Sequence, residues 1–272
     1  MSPLEPKIRQ AILEGTAMNG AYASTQARFG DLVRTFAENV LVSGERVNSR
    51  YGPCIEKLGG RLEVPSGILI ARKGMNLSLG WMEMVQVIAG VFELEALKVV
   101  APKADHSLFT YRMSYGPRIV GSIRSIIEAL REDPNTRQAV LFVASPLDGP
   151  TSDLPCTLTI QFLVRRERLN AIVSMRSWDL CRGLPYDLMM FSGLLESIGR
   201  CLGIATGNII VQAGSTHVYE DWVNLLPETD SRYWSFTDEV PRNWYDLTVW
   251  AASNVSLLKK GGIPQGIEII SM

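Results

Sequence analysis

One cysteine, Cys156, follows a proline at the head of an alternating apolar run in the segment DLPCTLTIQF, residues 153–162. A cysteine in this setting is either a small core residue at the start of a strand or a nucleophile, because buried thiols are common and inert whereas thiolates react. A thiol nucleophile would form a covalent intermediate and so divide one difficult reaction into easier steps. The rest of the chain has to decide between these two interpretations.

Three polar segments could supply the other groups of a reaction centre: MRSWD, GLPYD and STHVY. Each has a structural interpretation when it is taken alone. Arg176 and Asp179 could form a surface ion pair. Asp187 could favour the first turn of a helix through the helix dipole, and His217 could be a satisfied, partly buried histidine. Only the combination of the segments points to chemistry.

Apolar periodicity predicts the elements that position these residues. The alternating segments TLTIQFLVR and LNAIVSMRS, separated by the polar RER, predict a β-hairpin. Residues 183–203 predict a helix with Pro185 in its first turn and a glycine at its end. Residues 119–133 predict an amphipathic helix that stops at Pro134, and residues 79–92 predict a buried helix.

The remaining segments complete an α/β (α+β) pattern. Residues 17–43 predict a mostly helical lead-in, residues 59–71 predict strands interrupted by a proline and a glycine, and residues 137–145 predict a buried strand. NIIVQAG predicts another strand, and the Trp-rich tail is expected to be irregular. We therefore expect a large, mostly antiparallel or mixed sheet flanked by helices. With no repeat and no domain boundary, residues 1–272 are expected to form a single domain.

Composition restricts the classes of function. The chain has 272 residues, 46% of them hydrophobic and 20% charged, which is ordinary for a globular protein. A net charge of -1 predicts no general attraction to nucleic acid or to membranes. Four cysteines without a CxxC pair and only two histidines make a metal site unexpected. The chain shows neither a signal-peptide pattern nor a membrane-spanning apolar run, so a cytoplasmic protein with reduced thiols is expected.

In order and spacing, these motifs resemble the thymidylate synthase family. The family has a catalytic cysteine in a PC segment before a hairpin, followed by R-S-x-D, G-x-P-[FY]-N and H-x-Y motifs. The corresponding residues here are Cys156, Arg176–Asp179, Gly183–Asp187 and His217–Tyr219. Further upstream, five residues are similar to family positions: Arg50, Lys73, Glu83, Tyr115 and Arg137. The resemblance covers roughly residues 40–222.

The resemblance implies covalent catalysis on a pyrimidine nucleotide. Cys156 would add to C6 of the ring, because this addition makes the unreactive C5 enolate-like. Arg176 would depress the pKa of the thiol and bind the 5′-phosphate of the nucleotide. Arg50 would complete the phosphate site, together with Arg137 from the other subunit of a homodimer. The family usually has a second arginine at Gln138, so the cross-subunit contact with the phosphate is reduced by one charge here.

Further roles follow from the same resemblance. Glu83 would organise water and move protons around the base, and Tyr115 would assist proton removal at C5. A glutamate in so apolar a helix needs such a reason, because burying a carboxylate without partners is costly. His217 and Tyr219 would hydrogen-bond the sugar hydroxyl.

The resemblance also implies a co-substrate, 5,10-methylenetetrahydrofolate, while the cysteine and histidine counts predict no metal. Lys73 and Asp179 are the implied folate contacts, and Asp179 would also position the nucleotide. Ser177 follows Arg176, the implied phosphate contact, as it does in the motif of enzymes that act on deoxycytidylate. The expected partners are therefore a nucleotide, a folate and a second copy of the chain.

Asp187 departs from the synthase pattern, which has asparagine at this position. A protonated carboxyl fits cytosine, because its O–H donates to N3 and its other oxygen accepts from the N4 amino group. A carboxylate makes the same pair with an N3-protonated cytosine, whereas it would repel O4 of uracil. Asp187, Met175 and Ser215 resemble the residues of phage deoxycytidylate hydroxymethylases. This resemblance implies that water adds to an exocyclic methylene and that tetrahydrofolate leaves without oxidation, since no hydride moves.

Several alternatives stay open. We favour dCMP as substrate, with CMP possible, and the pathway could be phage DNA modification or nucleoside antibiotic synthesis. A thymidylate synthase or a dUMP hydroxymethylase with an unusual Asp187 is the first alternative. A catalytically silent nucleotide- or RNA-binding protein on the same fold is the non-enzyme alternative, although binding alone needs no nucleophile. In a purely structural domain all four cysteines would only pack, as we expect for Cys54, Cys181 and Cys201.

Overall fold

The computed structural model describes residues 29–71, 74–149, 154–225 and 230–270. Its main sheet has six strands: β1 (Glu45–Ser49), β2 (Gly52–Pro65), β4 (Val140–Phe142), β5 (Thr157–Arg165), β6 (Arg168–Asp179) and β7 (Ala205–Tyr219). Their spatial order is β1-β2-β7-β6-β5-β4, and within these ranges β6 and β7 alone pair in parallel. The predicted α/β fold with a large, mostly antiparallel sheet is confirmed.

The predicted hairpin is formed by β5 and β6. Its turn residues Arg166 and Glu167 have φ angles of 52° and 60°, the left-handed pair that matches the twist of two antiparallel strands. At the other end of the hairpin, Thr157 pairs with Met175. Cys156 and Arg176 are the neighbours of this pair in sequence, so the hairpin register brings the cysteine beside the arginine.

Helices flank the sheet. Those of the described residues are α1 (Phe29–Ser43), α2 (Leu77–Ala89), α3 (Leu94–Val100), α4 (Gly116–Glu132), α5 (Leu184–Leu202) and α6 (Trp244–Lys259), with short 3-10 helices at His106–Leu108, Pro146–Asp148 and Glu220–Leu225. The buried helices α2 and α5 pack closely, because a Cβ at Gly193 would lie 2.3 Å from Cγ of Met84. Glu83 of α2 lines one cleft together with Tyr186 and Asp187 from the first turn of α5.

The ends of α5 follow the sequence signals. Pro185 lies in the first turn, where its missing N–H is not needed, and Gly203 ends the helix in the left-handed conformation with φ of 70°. Asp187 is therefore in the first turn, as predicted. None of the described helices is both long and apolar enough to cross a membrane.

One prediction for the elements holds in part and another is wrong. Residues 137–145 form a strand only over Val140–Phe142, at the edge of the sheet, and it is buried on one face, because Leu141 is fully buried whereas Phe142 is 68% exposed. The tail, in contrast, is not irregular. It contains β8 (Asp230–Phe236), α6 and β9 (Ile267–Ile270), and β8 pairs with β9 and with β3 (Ile68–Ala71) in a second sheet. Residues 17–28 of the predicted lead-in lie outside the described residues.

Candidate active site

Arg176 holds the chain segment that carries the cysteine. Its backbone N–H donates to the carbonyl of Cys156 at 2.8 Å. Its guanidinium donates from Nε to the carbonyl of Pro155 at 3.1 Å and from Nη2 to that of Leu154 at 2.8 Å. These contacts use two of the five N–H donors of the guanidinium. The group is therefore fixed beside the thiol and retains donors that can bind an anion.

Cys156 is half-buried, and burial raises the pKa of its thiol. In decreasing size of effect, Arg176 opposes the rise, Asp187 adds to it, Arg50 opposes it and Asp179 adds to it. The prediction of a depressed pKa is therefore wrong, because lost hydration of the thiolate outweighs the two guanidinium groups. The sequence shows which charges are available, but it does not show how deeply the sulfur is buried.

Substitution of Arg176 tests this electrostatic arrangement. In Arg176→Gln the charge that lowers the pKa of Cys156 is lost, so alkylation of this thiol by iodoacetamide should titrate at a higher pH than in the wild type. Arg176→Lys is the matched control, because it keeps the charge but loses the planar fork. The measurement is the alkylated fraction of the Cys156 peptide against pH, read by mass spectrometry. An identical titration in the glutamine variant would contradict the assignment.

Tyr115 contacts the residue that follows the cysteine. It immediately precedes α4, and its hydroxyl accepts a hydrogen bond of 3.2 Å from the backbone N–H of Thr157. Burial raises the pKa of Tyr115, and the charges of Asp187 and Cys156 raise it further. The phenol therefore stays neutral and can donate its proton at the site.

Asp187 is hydrogen-bonded to a tryptophan of β6. The indole Nε1–H of Trp178 donates to Oδ2 of Asp187 at 3.1 Å. Burial raises the pKa of Asp187 to about 7, the hydrogen bond from Trp178 lowers it and the charge of Asp179 raises it. Near neutral pH this carboxyl is therefore present in both protonated and ionised forms.

Glu83 shares a cleft with Asp187 and Tyr115. The cleft has a volume of about 210 Å³, and Phe92 and Phe109 contribute apolar walls. Burial raises the pKa of Glu83 to about 8, and the charge of Asp187 raises it further. The cleft thus combines two carboxyls that disfavour ionisation with a phenol and an apolar wall. Such a site can bind a flat ring and transfer protons to or from it.

The raised pKa values of the two carboxyls predict a stability that depends on pH. A buried carboxyl with a raised pKa binds its proton more tightly in the folded state, so its stabilising effect is complete below the unfolded pKa of about 4 and is lost as pH rises through the folded value. Wild type should lose more thermal stability between about pH 5.5 and about pH 8.5 than Glu83→Gln, which has no proton to release. Calorimetric Tm values at both pH values check this. Equal pH dependence of the two proteins would show that Glu83 ionises freely.

The side chain of Asp179 is hydrogen-bonded to residues that closely follow it in the chain. Its Oδ1 accepts from the backbone N–H groups of Cys181 and Arg182, both at 3.0 Å, and its Oδ2 accepts from Nε of Arg182 at 2.7 Å. The guanidinium of Arg182 lies 4.4 Å from the ring centre of Tyr219 and 5.4 Å from that of Trp222. Asp179 therefore shapes the loop before α5, and its expected contact with folate or nucleotide stays a prediction.

His217 and Tyr219 lie together at the end of β7, with ring centres 5.1 Å apart. Ser215 Oγ lies 2.5 Å from Oε1 of Glu56 and 3.5 Å from Nδ1 of His217. Because the carboxylate can only accept, the serine donates to Glu56 and accepts from His217. Burial lowers the pKa of His217, so the ring is neutral and presents Nε2 as an acceptor. A sugar hydroxyl could donate to it.

The remaining predicted residues lie at different distances from this group. Ser177 is half-buried and pairs across β6 and β7 with Ser215, which contacts His217. Arg137 lies towards the far end of β5, where its carbonyl accepts from the side chain of Gln161 at 2.8 Å. Lys73 lies outside the described residues. Arg50 is exposed in the turn after β1, and its charge reaches Cys156.

Sequence reasoning missed Trp178, Arg182 and Glu56. Trp178 lies inside the MRSWD motif, but its partner Asp187 is nine residues later, so the contact depends on how α5 folds back over β6. Arg182 has the spacing of an ion pair with Asp179, which was available as a signal. Among the described residues there is no group of three or more His, Cys, Asp or Glu side chains that could hold a metal ion.

The chain is similar in sequence to known proteins. A family model described as thymidylate synthase matches residues 102–242. The chain is 33% identical over 136 residues to a deoxyuridylate hydroxymethyltransferase of Bacillus phage SP01, covering 47% of this chain and 35% of that protein. It is 29% identical over 141 residues to a thymidylate synthase of Leuconostoc mesenteroides, covering 52% of this chain and 43% of that protein. It is 30% identical over 119 residues to a thymidylate synthase of Agaricus bisporus, covering 41% of this chain and 40% of that protein. The chain thus spans less than half the length of each of these relatives.

Proposed function

The chain belongs to the thymidylate synthase family, and from this membership we propose that it transfers a one-carbon unit to C5 of a pyrimidine nucleotide. The convergence of Cys156, Tyr115, Glu83 and Asp187 on one region supports the proposal. Cys156 adds to C6, and the ring then attacks through C5. In this proposal Tyr115 assists loss of the C5 proton, and Glu83 holds water and protons near the base.

The co-substrate of the proposed reaction is 5,10-methylenetetrahydrofolate, which supplies the methylene carbon. The cleft beside Glu83 and Asp187 fits a flat heteroaromatic ring, because Phe92, Phe109 and Met113 line it. Lys73 and Asp179 are the further folate contacts that we propose from the family resemblance. Arg176 and Arg50 bind the 5′-phosphate, and His217 with Tyr219 binds the sugar hydroxyl.

We propose that the base is cytosine, dCMP in preference to CMP, and that the product is 5-hydroxymethyl-cytidylate. The observation that carries this choice is the carboxyl of Asp187, which meets Trp178 through Oδ2 and has a pKa of about 7. Such a carboxyl is partly protonated near neutral pH. It can donate one hydrogen bond to N3 of cytosine and accept another from N4, whereas uracil offers the reverse pattern.

A second candidate is hydroxymethylation of dUMP. It is favoured by the similarity to the phage protein named deoxyuridylate hydroxymethyltransferase. The ionised form of Asp187 could accept from N3–H of uracil, but it would then face O4, a second acceptor. The cytosine assignment is the better fit to the carboxyl, and it remains the principal proposal.

The proposed enzyme is a homodimer in which Arg137 serves the site of the other subunit. In its own chain the carbonyl of Arg137 accepts a hydrogen bond from the side chain of Gln161. Gln161 is five residues after Cys156, and five residues of extended strand span roughly 16 Å. Arg137 is therefore far from the cysteine of its own subunit. Half-buried Ile172 and Ile210 alternate with buried residues, and Phe142 is exposed. These side chains lie on the sheet face turned away from the core, which supports burial of that face against a second copy.

A product assay tests the proposed function. Purified chain is incubated with methylenetetrahydrofolate and with dCMP, CMP or dUMP in parallel. We expect a product heavier than dCMP by one CH₂O unit, with tetrahydrofolate and without dihydrofolate. Faster conversion of dUMP would favour the second candidate, and formation of dihydrofolate would indicate a synthase reaction instead.

A further inference from the structure

Trp178 connects the main sheet to Asp187, the carboxyl proposed to hydrogen-bond the base. It lies on β6, is 1% exposed and pairs with Thr216 of β7. Its ring packs against Phe36 of α1, with ring centres 6.1 Å apart. Strand pairing and core packing therefore fix the indole independently of Asp187. Its Nε1–H then donates to Oδ2 of Asp187 at 3.1 Å, across the junction between β6 and α5.

From this geometry we infer that Trp178 is a positioning residue that decides which oxygen of Asp187 carries the proton, and thereby which pyrimidine edge the site accepts. An indole N–H can only donate, so Oδ2 must present a lone pair to it. When the carboxyl is protonated, the hydrogen is therefore held on Oδ1. The base then meets an O–H donor at Oδ1 and an acceptor at Oδ2, in the order that suits N3 and N4 of cytosine. This inference rests on the proposed function.

Packing alone does not account for the contact. Trp234 is also buried, at 2% exposure, yet its Nε1 has no hydrogen-bond partner among the described residues. The core of this chain therefore tolerates a buried indole without using its N–H group. At Trp178 the N–H group is used, and it is used on the carboxyl that faces the cleft with Glu83. Tryptophan at position 178 thus has a role that phenylalanine could not fill.

The experiment compares Trp178→Phe with Trp234→Phe. Both changes remove a buried indole and leave a ring, so they have similar effects on packing, but only the first removes the donor to Asp187. The first readout is the pKa of Asp187, measured from the carboxyl ¹³C shift in chain labelled with ¹³C-aspartate and assigned by its loss in Asp187→Asn. The second is the ratio of kcat/KM for dCMP to that for dUMP, measured against pH.

We expect the pKa of Asp187 to rise in Trp178→Phe and to stay at the wild-type value in Trp234→Phe. We also expect kcat/KM for dCMP to fall about tenfold or more relative to Trp234→Phe, with the basic limb of its pH profile moved to higher pH. The preference for dCMP should fall with it. A shift in the pKa together with a lower dCMP preference supports the inference.

The same experiment separates failure of the inference from failure of the proposed function. An unchanged pKa of Asp187 in Trp178→Phe overturns the inference whichever nucleotide the wild type uses. An unchanged ratio of dCMP to dUMP turnover also overturns it, even if the pKa moves. If the wild type does not convert dCMP at all, the proposed base is wrong, and the inference that Trp178 selects cytosine falls with it, whereas the pKa readout still shows whether the hydrogen bond exists.

Discussion

Cys156→Ser is expected to lose turnover by roughly three to six orders of magnitude. The hydroxyl of serine ionises far less readily than a thiol, and Arg176 cannot compensate, because burial already raises the pKa of the cysteine itself. Without attack at C6 the ring does not become nucleophilic at C5, and the remaining groups have no substitute for that step. The measurement is release of tritium from C5-labelled dCMP in the presence of methylenetetrahydrofolate.

Cys201→Ser is the matched control for this prediction. Cys201 is a buried cysteine of α5, at 7% exposure, and it has no place in the proposed mechanism. We expect this variant to retain tritium release, while Cys156→Ser still binds dCMP in calorimetric titrations. Substantial tritium release by Cys156→Ser would remove the covalent mechanism.

Asp187→Ala is expected to lower kcat/KM for dCMP by roughly three orders of magnitude or more, with a much smaller effect on dUMP. The variant leaves N3 and N4 of cytosine without partners, and unpaired polar groups in a closed site are costly. The ratio of the two kcat/KM values should therefore fall towards one. Parallel kinetics with both nucleotides measure it, with far-ultraviolet circular dichroism to confirm that the variant folds. A wild-type ratio in Asp187→Ala would show that another residue reads the base.

Asp187→Asn refines this test. Trp178 should hold the amide oxygen as it holds Oδ2, because the indole only donates. The amide NH₂ then donates to N3 and the oxygen accepts from N4, so this variant should keep its preference for dCMP while losing the basic limb that Asp187 gives the wild type. A switch to dUMP would show that the amide is reversed and that Trp178 does not hold it.

Much of the frame of the site follows from the sequence because its signals are local. The alternation in residues 157–179 predicts the hairpin, and Pro185 with Gly203 marks the two ends of α5. The Cys156 and Asp187 placements then follow from the hairpin and the helix start. The length and edge position of β4 could not be predicted, because an apolar run such as that around Val140–Phe142 is compatible with both an edge strand and a central strand.

The features that sequence reasoning missed are those set by tertiary packing. Whether the pKa of Cys156 rises or falls depends on a balance between burial and four charges, and burial is not visible in a motif. The bond from Trp178 to Asp187 depends on the path of the loop between β6 and α5. The organised tail likewise depends on pairing β8 with β3, a strand about 160 residues earlier in the chain.

A trapping experiment with 5-fluoro-dCMP tests the central claim most directly. Fluorine at C5 cannot leave as a cation, so the adduct formed by the thiolate and the one-carbon unit should accumulate instead of turning over. With methylenetetrahydrofolate present, we predict a covalent complex on the Cys156 peptide, visible by mass spectrometry, that forms faster from 5-fluoro-dCMP than from 5-fluoro-dUMP. No adduct at Cys156, or faster trapping of the uracil analogue, would contradict the account.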